Sequence, residues 1–346
     1  MIAAADAGPA LYTERHPYMR YDTVMSRVPA SQLFFLAVLC ALPVRAARTL
    51  ELYFIDVEGG QATLVVAPSG QSLLIDAGSS GFNGRDSGRI LSAAKDAGIK
   101  HIDYLLITDF QPDHVGGVPN LLQRLPVMTF LDSGKSIDYP TEYSASLAKG
   151  KHSMVAAGDQ IPLKDLDVTL VAAAGKVLDR RGATNPYCAG VQTRSGENTE
   201  STGVVIQFGK FRFADLGDLN WNQELSLLCP ANRAGKIDLY LTTRSGGESS
   251  SAIWAMAPRV AIMNNGPRKG GNPAGWKNVM ASPGLEDMWQ LHFALANGKE
   301  ANAPDTLIAN LNENCEGKAL KVSATADGAF TVMNTRNKFS RSYAAR

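Results

Sequence analysis

The chain has 346 residues, with 34 lysines and arginines against 33 aspartates and glutamates, a formal net charge of +1. That balance excludes a binder drawn to nucleic acid by charge alone, and a 45% hydrophobic composition excludes a disordered chain. Histidine is scarce: His16, His101, His114, His152 and His292 are the whole supply for metal or acid–base work.

The first 47 residues read as an address. From Met25, Arg27 precedes the apolar run Leu33 to Leu42, and Val44-Arg45-Ala46-Ala47 supplies the small residues of a cleavage region, the order of an export signal. The expectation is a pre-segment and signal peptide over 1–47 with its start at Met25, then a single domain over 48–346, periplasmic or secreted. The alternative is an uncleaved N-terminal anchor. The apolar run is short for a stable span, and no later stretch offers the roughly 18 apolar residues of a second one. Once Cys40 leaves with the signal, Cys188, Cys229 and Cys315 enter an oxidising compartment, where one bridge and one free thiol are expected with all three pairings open. The other reading makes them small buried hydrophobes.

Residues 51–57, 61–67 and 72–76 are β-branched or aromatic runs separated by Glu58-Gly59-Gly60 and Pro68-Ser69-Gly70, so three consecutive antiparallel strands are predicted. Ile90, Leu91 and Ala94 lie at helical spacing over 85–97, and Gly98 closes that helix. Residues 103–108 form a strand apolar enough to be buried on both faces. A polar, irregular surface loop or an insertion near the site is expected over 182–200. In the second half, 202–208 and 210–215 make a hairpin through Gly209, 222–228 a helix, and 237–242 a buried strand. Residues 253–257 read as helical, 259–263 as a strand, and both 276–280 and 285–292 as helices. On that reading Trp254, Trp276, Trp289 and Phe293 pack helices onto the second sheet, and His292 is a surface or helix-end histidine, with a distant acid–base group as the alternative.

The most informative segment is Thr108-Asp109-Phe110-Gln111-Pro112-Asp113-His114-Val115-Gly116-Gly117. A buried strand stops at Thr108. Polar side chains at 109, 111, 113 and 114 then leave an extended turn, where their heads can converge on one point. Taken alone, Asp113 would be a turn or capping residue and His114 a hydrogen-bonded core histidine.

In its setting the segment resembles the metal-binding motif His-x-His-x-Asp-His of the metallo-β-lactamase fold. Phe54-Ile55-Asp56-Val57-Glu58-Gly59-Gly60-Gln61-Ala62-Thr63 resembles the opening strand and turn of the extracellular domain of bacterial competence (DNA-uptake) proteins. So do Leu74-Ile75-Asp76-Ala77-Gly78, Glu197-Asn198 through Ser201, and Leu216-Gly217-Asp218. The resemblance implies an α/β fold, the four-layer αββα metallo-β-lactamase-like sandwich, with its site at the strand ends along one edge. It makes Asp113 and His114 metal ligands and the catalytic pair, Asp218 the aspartate that bridges two metals, and Asp76 the aspartate supporting them from a neighbouring strand. Asn198 falls in a matched segment and joins the supporting set. The motif is degenerate. Asp109 and Gln111 stand where the family has its first two histidines, and Arg244-Ser245-Gly246 stands where the competence branch has His-His-Gly.

Loss of imidazoles weakens zinc binding and leaves Asp109, Asp113, His114 and Asp218, an oxygen-rich set suited to Mn²⁺, Mg²⁺ or Ca²⁺ more than to Zn²⁺. Arg244, if turned inward, would replace the cation by pairing with Asp113 or Asp218. Two readings follow. In one, the protein is an exported hydrolase whose metal-bound water attacks a phosphoester, ester or amide of a small molecule. In the other, it is a catalytically inactive pseudoenzyme acting as a binding protein. A nuclease-like role is the narrower form of the first and has weak support, because no stripe of cations with interleaved aromatics is visible. Pro267-Arg268-Lys269-Gly270-Gly271 reads either as a cradle for one anionic group or as a solvated loop.

Overall fold

The computed structural model describes residues 13–14, 17–20, 48–134, 140–195, 200–243 and 250–346. The chain divides into two compact units, Met1–Ala46 and Ala47–Arg346, and the fold below belongs to the second. The predicted signal segment from Met25 to residue 47 lies outside the described residues.

The opening strand Leu50–Phe54 shows why a sheet covered on both sides forms. Leu50, Leu52 and Phe54 enter one apolar cluster, whereas Tyr53 and Ile55 enter another, so the period of two feeds two cores at once. Thr63–Val66 and Ser72–Ile75 follow it as antiparallel neighbours, as predicted. Helix Arg85–Asp96 then crosses over, and Ile102–Leu106 and Val127–Asp132 add on in parallel. Among the described residues the finished sheet has nine strands, running from Ser340–Tyr343, Phe330–Asn334 and Leu320–Ala324 at one end to Lys151–Met154 at the other.

The second sheet begins with the antiparallel pair Gly203–Phe208 and Phe211–Asp215. It continues in parallel through Leu239–Leu241, Val260–Met263, Asp287–His292 and Ile308–Asn310. Asp167–Ala173 and Gln160–Ile161 extend its other side. Between the sheets lies the largest apolar cluster, in which the rings of Phe54 and Phe213 meet edge to face with centroids 5.4 Å apart. The outer face of the first sheet packs on residues of Arg85–Asp96, Val118–Leu121 and Thr141–Leu147. That of the second packs on Trp221–Leu228, Pro273–Met280 and the 3₁₀ turn Ser251–Met256. Three apolar clusters separating four layers make the αββα sandwich.

Cys188 and Cys229 form the disulfide, with Cys315 free. The bridge pins the loop after Gly182 beside helix Trp221–Leu228, whose capping box joins Asn220 and Gln223.

One element departs from the sequence reading. The 285–292 stretch, expected as a helix, is the strand Asp287–His292. Its run Met288-Trp289-Gln290-Leu291-His292 is buried throughout, polar residues included, so no exposed face gives a period by which to tell helix from strand. Trp289 therefore points between the sheets, its indole N–H donating to Tyr343 Oη at 3.0 Å, and His292 is fully buried rather than a surface or helix-end residue.

Candidate functional site

Asp76 directly follows strand Ser72–Ile75 and takes the left-handed backbone region at φ 60, a costly conformation for a residue with a Cβ. That turn aims its carboxylate across the neighbouring strand end. Oδ1 accepts the Thr108 N–H at 2.7 Å, and Oδ2 accepts the Thr108 hydroxyl and lies 2.7 Å from His114 Nδ1. The Pro112–Val115 turn of helix carries Asp113 and His114 back toward this group. Two glycines permit the approach: a Cβ on Gly60 would stand 2.3 Å from the Asp113 carbonyl oxygen, and one on Gly117 2.0 Å from that of Ala77.

Asp218 arrives from the second sheet, in the turn after Phe211–Asp215. Its N–H donates to Ser201 Oγ at 2.9 Å, and that hydroxyl donates to the Thr108 carbonyl at 3.3 Å. His114 Nε2 is buried without a hydrogen-bond partner, 3.5 Å from Asp218 Oδ2 and 3.9 Å from Asp113 Oδ2. Burial works against an imidazolium here, but Asp76 and Asp218 outweigh it and lift the His114 pKa well above its ordinary value. Burial likewise raises Asp109, whose Oδ1 accepts the Gln111 N–H at 2.9 Å inside its own turn.

The structure thus gathers Asp76, Asp113, His114 and Asp218, with Asp109 at their margin. Gln111 is exposed. Asn198, Arg244 and Ser245 lie outside the described residues, so the expected pairing of Arg244 with Asp113 or Asp218 falls there too. Sequence reasoning missed two participants. Lys269 places its ammonium on Asp113 Oδ2, from the loop read as an anion cradle or a solvated turn. Gln61 donates its amide to both oxygens of fully buried Asp215, at 2.9 and 3.0 Å, and burial pushes that carboxyl up to about 7. The Gln61 match to the competence-type opening turn marked the neighbourhood. Lys269 lies 156 residues from Asp113, and no local signal pairs them. A cleft of about 390 Å³ lies beside the motif helix, lined by Pro112, Val115, Gly116 and Tyr143 but by none of Asp109, Asp113, His114 and Asp218.

Residues 55–191 match the family model of the metallo-β-lactamase superfamily. The hydroxyacylglutathione hydrolase of Erwinia tasmaniensis is 30% identical over 131 residues, covering 37% of this chain and 47% of that protein, so the match spans about half the relative's length. Among solved structures, the metallo-β-lactamase fold protein YhfI from Bacillus subtilis is 11% identical, covering 70% of this chain and 96% of that one with a TM-score of 0.46. A putative metal-dependent hydrolase from Parabacteroides distasonis is 16% identical, covering 70% and 93% with a TM-score of 0.41. The chain has the metallo-β-lactamase fold.

The divalent metal that this fold implies would meet an oxygen-rich donor set, ill-matched to Zn²⁺ and already partly engaged. One imidazole remains among carboxylates, and a lysine ammonium already sits on Asp113. Among the described residues, the one trio of His, Cys, Asp or Glu with donor atoms all within 4.8 Å of each other lies elsewhere.

Proposed function

We propose that the protein is an exported member of the hydrolase-type metallo-β-lactamase fold whose motif site has lost its metal and works as a binding site for a small molecule. The observation that carries this reading is the Lys269 ammonium on Asp113, a positive charge where a metal would draw on the same oxygen. His114, held between Asp76 and Asp218, adds a second internal cation when protonated. Export is supported by the Cys188–Cys229 disulfide, a bond that persists in oxidising compartments, and no described helix is long and apolar enough to cross a membrane. The resemblance to competence proteins keeps single-stranded nucleic acid among the ligands to assay.

One observation favours the hydrolase reading: His114 Nε2 is buried, without a hydrogen-bond partner, and faces two carboxylates. If Mn²⁺, Mg²⁺ or Zn²⁺ bound there, it would supply an activated water. The deciding assay measures hydrolysis of a phosphodiester, a glutathione thioester and single-stranded DNA with and without these ions. The expected result is no metal-dependent turnover. Metal-dependent turnover abolished by Asp113→Ala would contradict the proposal.

A further inference from the structure

A second cluster lies where the two sheets meet, and none of its members belongs to the motif. Asp56 stands just after Leu50–Phe54 of the first sheet. His292 ends strand Asp287–His292 of the second. Cys315 lies in the connection between Asn310 and Leu320. One donor atom from each falls within 4.8 Å of the other two. Cys315 Sγ lies 3.4 Å and His292 Nε2 3.9 Å from Asp56 Oδ2. Two donors bound tetrahedrally to one zinc, at about 2.0–2.3 Å each, stand roughly 3.5 Å apart, so this spacing is near that of a filled site.

His292 supplies the independent observation. It is fully buried, and neither ring nitrogen has a hydrogen-bond partner. Buried imidazoles are almost always satisfied, and an orphan one turned toward a carboxylate and a thiol calls for a ligand.

We propose that Asp56, His292 and Cys315 bind one zinc ion and leave its fourth position to water. The mixed O, N and S set selects a borderline-soft ion over Mg²⁺, Ca²⁺ or Mn²⁺, which prefer oxygen alone. Charge balances on binding. The ion displaces the Cys315 thiol proton to solvent, and a divalent charge then meets one thiolate and one carboxylate. Arg89 holds both ligands from outside. Its Nη1 reaches Asp56 Oδ2 at 3.3 Å and the Asp56 carbonyl at 2.9 Å, and its Nη2 reaches Cys315 Sγ at 3.4 Å. Glu58, 3.0 Å from Arg89 Nη2, offsets the guanidinium charge. Metal-bound carboxylates carry such outer partners as a rule.

The test strips the full-length chain with a chelator, titrates it with Zn²⁺ alone, and repeats the titration with Co²⁺ as a spectroscopic probe. One equivalent should bind, with a sulfur-to-cobalt charge-transfer band. Cys315→Ser should abolish the band, and His292→Gln should weaken binding by about tenfold or more. Asp113→Asn should leave both stoichiometry and band intact. Circular dichroism checks the fold of each variant. If His292→Gln fails to fold, the band and its loss in Cys315→Ser, a change at a partly exposed residue, decide the question. Absence of a bound equivalent, or an equivalent without a sulfur band that survives Cys315→Ser, would overturn the proposal. Metal lost in Asp113→Asn instead would overturn it together with the metal-free reading of the motif.

Discussion

Asp215 is the residue whose environment makes the sharpest prediction. Its carboxyl is fully buried between the Gln61 amide and the Gly217 N–H, and its pKa stands near 7 against an ordinary value of about 3.9. Between those two values the folded protein keeps a proton that the unfolded chain has released, so stability falls as pH rises through that window. Asp215→Asn removes the linkage. The melting temperature of the wild type should drop more between about pH 5 and about pH 8 than that of Asp215→Asn. Equal drops would show that the carboxylate is not held protonated. At this scale Asp113 and His114 were marked by the strand end and short turn after Thr108, whereas Asp76, 38 residues from His114, and Asp218 were legible only through the resemblance. Lys269 and His292 were not. The first is a loop lysine made important only by the Glu58-Gly59-Gly60 turn against which it packs, where a Cβ on Gly59 would stand 2.6 Å from the Lys269 Cβ. The second sits at the end of a run whose helix or strand character the sequence leaves undecided.

Individual elements are fixed by how their two faces divide between apolar clusters. Phe54 is almost wholly buried and meets Phe213 across the sheets. Phe54→Ala should therefore destabilise the domain by about 3–5 kcal/mol in urea denaturation, and a loss under about 1 kcal/mol would mean that the sheets do not depend on this contact. Its own strand was legible because residues 51–57 form a β-branched and aromatic run ended by the turn Glu58-Gly59-Gly60. The helix Arg85–Asp96 was legible from its apolar spacing and Gly98 stop. The strands Leu320–Ala324, Phe330–Asn334 and Ser340–Tyr343 went unread, although Leu320, Val322 and Ala324 alternate with less buried Lys321 and Ser323. A period-two reading carried past His292 would have found that first strand. Its pairing with Leu50–Phe54, at the other end of the domain, is a long-range fact that no window shows.

Over the whole molecule, the sandwich brings the ends of strands from both sheets to the motif, so the site is only as good as the charges that meet there. The His-x-His-x-Asp-His motif that the segment from Asp109 to His114 resembles would supply imidazoles. This chain supplies carboxylates, one imidazole and a lysine ammonium, and the ammonium satisfies Asp113 without a metal. The sandwich is stabilised by its three apolar clusters and the Cys188–Cys229 bridge, none of which needs the motif residues. That division leaves the fold independent of whether the motif holds a metal. Anomalous diffraction from crystals grown with Mn²⁺ and Zn²⁺ tests this account most directly. No anomalous peak is expected at His114 Nε2, with the Lys269 ammonium seated on Asp113. A peak bonded to His114, Asp113 and Asp218, with Lys269 displaced, would contradict it.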